Sequence, residues 1–112
     1  AGMFYPEDPT ELRRTVETLL EKAQPANTTK RIVAAVAPHA GYMYSGPVAA
    51  HTFKTLRAHY PAGVAPPPDD VENFFPTVVV IAPSHRETFP YISVFTGQAY
   101  RTPLGDVPVA GD

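Results

Sequence analysis

Ile32-Val33-Ala34-Ala35-Val36-Ala37-Pro38-His39 and Val78-Val79-Val80-Ile81-Ala82-Pro83-Ser84-His85 decide how this chain is read. Each is an apolar β-type run that closes on Ala-Pro and then delivers a histidine. A run of this kind without polar alternation is the pattern of a parallel strand covered on both faces. Adjacent parallel strands lie roughly 4.8 Å apart, so two imidazoles carried at neighbouring strand tips can converge on one point. Pro38 and Pro83 fix φ and push the residue before each toward extended backbone, which pre-aims the rings.

Working outward, Asp8-Pro9-Thr10-Glu11 is a helix start, with Asp8 as cap, Pro9 at the first helical position and Glu11 three residues after the cap. Leu12, Val16, Leu19, Leu20 and Ala23 follow on one stripe, so the spacing predicts a helix from about Pro9 to Ala23 that covers a sheet. A first strand is expected at about 31–37. His39-Ala40-Gly41-Tyr42-Met43-Tyr44-Ser45-Gly46 reads as a structured loop, after which Ser45 caps a second helix with Pro47 in its first turn. Ala49, Phe53, Leu56 and Tyr60 give that helix an apolar face, and it ends before Pro61. The stretch 61–76, with Pro66-Pro67-Pro68, reads as a long exposed connection with an extended polyproline segment. Strands are expected at about 77–82 and 91–96, followed by a turn around Thr102-Pro103-Leu104-Gly105-Asp106 and an extended tail.

Strand, helix, strand in that order is a βαβ unit with a right-handed crossover and parallel strands. The expected fold class is therefore α/β, a βαβ core with a mainly parallel sheet and flanking helices. At 112 residues the chain is at most one domain. Three strands and two helices are too few to cover both faces of a parallel sheet, so residues 1–112 read as one truncated α/β domain. A small complete three-layer domain is the alternative.

Composition removes several function classes. Nine basic and eleven acidic residues give a net charge of −2 without clustering, so nucleic acid and anionic lipid are not expected as partners. No membrane span or export signal is visible, and a cytoplasmic location is the expectation. With no cysteine, thiol catalysis, disulfides and thiolate metal sites are excluded within these residues. Any metal must be held by His, carboxylate, Tyr or water.

In open α/β sheets ligands bind outside the carboxyl ends of the strands, where His39 and His85 fall. Imidazole suits Fe, Zn, Cu and Ni, so His39 and His85 are the candidate metal ligands. Ring nitrogens about 3 to 4 Å apart would suit two ligands of one ion, and a separation beyond roughly 6 Å would not. The competing reading is that each histidine caps its strand by donating to a backbone carbonyl. Tyr42 and Tyr44 are candidate hydrogen-bond donors or walls of a substrate or ligand site, with Ser84 beside them, and ordinary half-buried loop aromatics are the alternative for the tyrosines. Glu87 and Asp106 are the carboxylates available to complete a site; solvated surface is the alternative for both. His51 and His59, on the second helix, read as solvated or helix-packing. Ser84 and His85 are sequence neighbours with no acid orienter, which disfavours a serine hydrolase. Gly41 and Gly46 lack the spacing of a phosphate-cradling loop.

The run from Ala37 to Ala50, Pro38-His39-Ala40-Gly41-Tyr42-Met43-Tyr44-Ser45-Gly46 at its centre, resembles the motif of the Memo-like proteins. Ala1-Gly2-Met3-Phe4-Tyr5-Pro6, Ala82-Pro83-Ser84-His85 and Tyr100-Arg101-Thr102-Pro103-Leu104-Gly105 match further landmarks of that family in order. The resemblance implies an extradiol-dioxygenase-like (LigB-like) fold, with His39 and His85 at two metal-site positions. It also implies a divalent metal, Fe(II) first with Zn or Cu as alternatives, and a third ligand in a C-terminal half beyond these residues. The function it implies is unsettled. One possibility is metal-dependent redox or dioxygenase-type chemistry on a small molecule in the full-length protein, the fragment itself being inactive. The other is a non-catalytic signalling adaptor that takes a peptide or small ligand in the same cleft.

Overall fold

The computed structural model describes residues 1–60 and 77–110. Helix α1 spans Pro9–Lys22 and helix α2 spans Tyr42–His59; strands β1, Ala99–Thr102, and β2, Gly105–Pro108, follow. The expected first helix is present almost to the residue, because its signals are local. The Asp8 carboxylate accepts from the Glu11 amide at 2.8 Å, Pro9 opens the first turn, and Ala23 caps the end with its N–H on Leu19 O.

Helix α2 begins earlier than expected. Tyr42 to Gly46, read as loop, are helical; Gly41 is the cap and Pro47 lies inside the helix rather than in its first turn. The physical reason is the direction of one hydrogen bond. The Ser45 hydroxyl does not cap by accepting an amide; it donates to Ala40 O at 2.8 Å. The helix start is held instead by the N-terminal segment, where the Tyr42 N–H donates to Phe4 O at 2.7 Å and the Tyr5 and Tyr42 rings meet at 5.6 Å. Pro47 costs the helix only the bond its missing N–H would have made one turn back.

Helices α1 and α2 pack on one another. Leu12, only 3% exposed, with Ala23 and Ala50, forms the buried apolar cluster among the described residues. Gly46 marks the closest approach: a Cβ there would lie 2.9 Å from Leu19 Cδ1, so the absent side chain lets the α1 leucine lie against the α2 backbone.

The segments at 31–37, 77–82 and 91–96 are neither helix nor strand, among the described residues no ladder hydrogen bonds join them, and the expected parallel sheet is not found there. Their side chains are open: Val36 and Ile81 are each 92% exposed, and Val33, Val78, Val79, Val80, Ile92 and Val94 are also exposed. A parallel strand needs backbone partners along its edges and cover on both faces, and the helix pair and the β1/β2 hairpin supply neither. The one sheet among the described residues is antiparallel, β1 with β2. The expected turn is there, but its flanks pair instead of forming a tail. Thr102 faces Gly105 in the register, leaving Pro103-Leu104 as the loop. Pro103 supplies the fixed φ of a turn, Gly105 takes φ +124°, and Thr102 Oγ1 accepts from the Leu104 N–H at 3.1 Å while donating to Gly105 O at 2.8 Å. The Phe95 and Tyr100 rings meet at a tilt of 31° with centroids 4.5 Å apart, and a side chain at Gly97 would collide with the Phe95 ring. The connection expected at 61–76 lies outside the described residues.

Candidate functional site

His39 leaves the end of the 31–37 segment just before α2, and His85 leaves the end of 77–82. Their Nε2 atoms are 3.1 Å apart, with ring centroids at 5.2 Å and planes tilted by 36°. The rings meet although no ladder joins the segments that carry them. Between two neutral imidazoles this is a hydrogen bond that needs one Nε2–H donor and one bare Nε2 acceptor, so one of the two rings carries its proton on Nδ1.

The same separation suits a shared ion. Two nitrogens at the usual ~2.0–2.1 Å from a metal and 3.1 Å from each other subtend roughly 100°, between the octahedral and tetrahedral values. Both Nε2 lone pairs can be turned to one point once the shared proton is displaced. Among the described residues no group of three or more His, Cys, Asp or Glu is placed to hold a metal. Of the two carboxylates the sequence offers, Asp106 faces Arg101 across the hairpin at 3.5 Å, and the Glu87 N–H closes a turn on Ser84 Oγ at 3.2 Å.

The remaining candidates separate. Tyr42 lies against Tyr5, while Tyr44 is 76% exposed. Ser84 is exposed, next to His85, with its hydroxyl accepting from Glu87. His51 and His59 bind backbone, as helix-packing histidines do: His51 Nδ1 meets the Gln24 backbone, and His59 Nδ1 and Nε2 meet Thr55 O and Thr28 O at 3.1 and 3.0 Å.

Sequence reasoning missed the polar face of α2. Thr52 Oγ1 donates to Val36 O at 3.2 Å, Ala26 N–H donates to Thr55 Oγ1 at 2.8 Å, and Lys54 Nζ donates to Glu21 O and Ala23 O at 3.2 and 2.8 Å. With Tyr60 Oη on Ile32 O at 2.8 Å, these bonds grip the backbone from the end of α1 to the base of His39. The available signal was the recurrence of hydroxyl, ammonium and imidazole groups at helical spacing on α2, interleaved with its apolar positions. Among the described residues no helix is long and apolar enough to cross a membrane.

The family model for Memo-like protein matches residues 1–112. A MEMO1 family protein of Methanopyrus kandleri is 38% identical over 97% of this chain and 36% of its own length. One of Methanothermobacter thermautotrophicus is 37% identical, and one of Sulfolobus acidocaldarius 35%, each over 97% of this chain and 37% of the relative. The chain thus spans a little over a third of the length of these relatives. No solved structure gives a significant match. With its whole described length and its two histidine-bearing segments inside the matched region, the chain belongs to the Memo-like protein family.

Proposed function

We propose that His39 and His85 are two ligands of one divalent metal ion, with Fe(II) favoured and Zn or Cu compatible, in a Memo-like domain of which these residues form one part. The observation that carries the reading is the 3.1 Å separation of the two Nε2 atoms, each offered from the end of an apolar segment. A third ligand and the cover for the exposed apolar segments come from polypeptide outside these residues. Two facts support that: Val33, Val36 and Val78 to Ile81 present apolar side chains that nothing among the described residues buries, and the relatives are nearly three times as long. In that setting the 31–37 and 77–82 segments become strands of the mainly parallel, extradiol-dioxygenase-like sheet.

A divalent ion with open positions supplies Lewis-acid or redox activation of a small molecule bound to it. This chain's own part is narrower. The two imidazoles must be neutral and bare at Nε2, and their Nδ1–H groups are left to hydrogen-bond outward and fix the ring planes. The exposed Tyr44 ring and the Ser84 hydroxyl, next to His85 in sequence, offer a small-molecule or peptide ligand an aromatic wall and a hydroxyl.

Titration of the family-length protein with Fe(II) under anaerobic conditions, or with Zn(II), tests the reading. About one ion per chain is expected in the unaltered protein, with at least a tenfold loss of affinity in His85→Ala and in His39→Ala. Uptake that survives both substitutions overturns it. Substrate-dependent oxygen consumption by the iron-loaded, family-length protein would favour the enzyme over the adaptor; tight peptide binding without metal would favour the adaptor.

A further inference from the structure

We infer that Ser45 and Thr52 are positioning residues for His39, with α2 acting as a splint along the segment that carries it. The inference rests on the pairing of His39 with His85 and extends the metal reading to the residues that hold the site in register. Ser45 and Thr52 are seven positions apart, two helical turns or roughly 10 Å along one face of α2. Their hydroxyls donate to carbonyls on either side of His39: Ser45 Oγ to Ala40 O at 2.8 Å and Thr52 Oγ1 to Val36 O at 3.2 Å. Ser45 is only 8% exposed, and its hydroxyl spends its proton on this bond to the residue next to His39.

The geometry matters because nothing else among the described residues fixes the segment leading to His39 by a sheet ladder. A strand end normally takes its position from neighbouring strands. Here the backbone before His39 is held by Thr52, the backbone after it by Ser45, and Pro38 between them removes one torsional freedom. His39 is thereby presented from a rigid helix, and its Nε2 falls within hydrogen-bonding reach of His85.

The test reads the histidine pair without metal. In nitrogen-resolved NMR of the metal-free chain at alkaline pH, where imidazoles are neutral, one of the two rings is expected to be in its Nδ1–H form and its bare Nε2 to accept from the other. In Ser45→Ala the population of that tautomer should fall at least twofold, with helix content unchanged, and Ser45→Thr should restore it. Thr52→Val, nearly isosteric, should give a smaller fall in the same direction and serves if Ser45→Ala does not fold. A Ser45→Ala variant, or failing that Thr52→Val, that keeps the full tautomer population overturns the inference, even if its melting temperature drops. Because no metal is present, loss of pairing in Ser45→Ala alongside a failure of the family-length protein to take up Fe(II) or Zn(II) would retire the metal reading and leave the splint standing. Intact pairing in the variants with normal uptake would do the reverse.

Discussion

The helix pair is the less apolar part of this sequence and the segments at 31–37 and 77–82 the more apolar, yet the first is held from several sides and the side chains of the second are largely open to water. Leu12 of α1 is buried, Leu19 lies against the α2 backbone at Gly46, and side chains of α2 and of Tyr60 bond the backbone from Glu21 to Val36. Val78, Val79, Val80 and Ile81 are more hydrophobic than any stretch of α1, and all four are exposed. The difference teaches that hydrophobicity does not itself order a segment. A helix satisfies its backbone internally and needs one partner face, whereas a buried strand needs neighbours along its edges and layers above and below.

Leu12→Ala attacks the held region directly and should have the largest effect, about 2–4 kcal/mol lost in urea unfolding followed by helical circular dichroism. A loss under about 1 kcal/mol would mean that the helix contact is not where stability resides. Lys54→Met keeps the aliphatic stem but removes the ammonium from Glu21 O and Ala23 O. It should cost about 1–2 kcal/mol by the same assay, and no change would show that the clamp is ornamental. Ile81→Ala in the open region should change the stability of this chain by less than about 0.5 kcal/mol. In a family-length protein the same substitution should cost about 2–4 kcal/mol, and equal small values in both would contradict the proposed burial of that segment. Arg101→Ala should give the smallest effect, below about 0.5 kcal/mol, because its 3.5 Å contact with Asp106 is exposed on both sides.

How far the sequence could be read follows the same division. Helix α1 was legible because the Asp8 cap, Pro9 and the apolar stripe lie within one short window. The start of α2 was misplaced because a serine hydroxyl can accept or donate, and only the position of Ala40 O decides which; the Phe4 carbonyl that receives the Tyr42 N–H is equally invisible from local sequence. The segments 31–37 and 77–82 were legible as apolar, but they are not strands among the described residues, because strand pairing is a non-local property and no partner lies there. The hairpin was half legible: Pro103 and Gly105 announce a turn, while Ala99-Tyr100-Arg101-Thr102 and Gly105-Asp106-Val107-Pro108 lack the alternation that announces strands. The meeting of His39 and His85 was legible in the repeated Ala-Pro ending, even though His85 sits one residue farther from its proline than His39 does. Their chemistry was not, because two imidazoles 3.1 Å apart serve equally as a hydrogen-bonded pair or as a chelate.

X-ray absorption spectroscopy of the chain loaded with Fe(II) or Zn(II) separates those two uses most directly. Two imidazole nitrogens are expected in the first coordination shell at about 2.0–2.2 Å, with the imidazole signal reduced in either His39→Ala or His85→Ala. A shell made only of oxygen, or one unchanged by both substitutions, would contradict it.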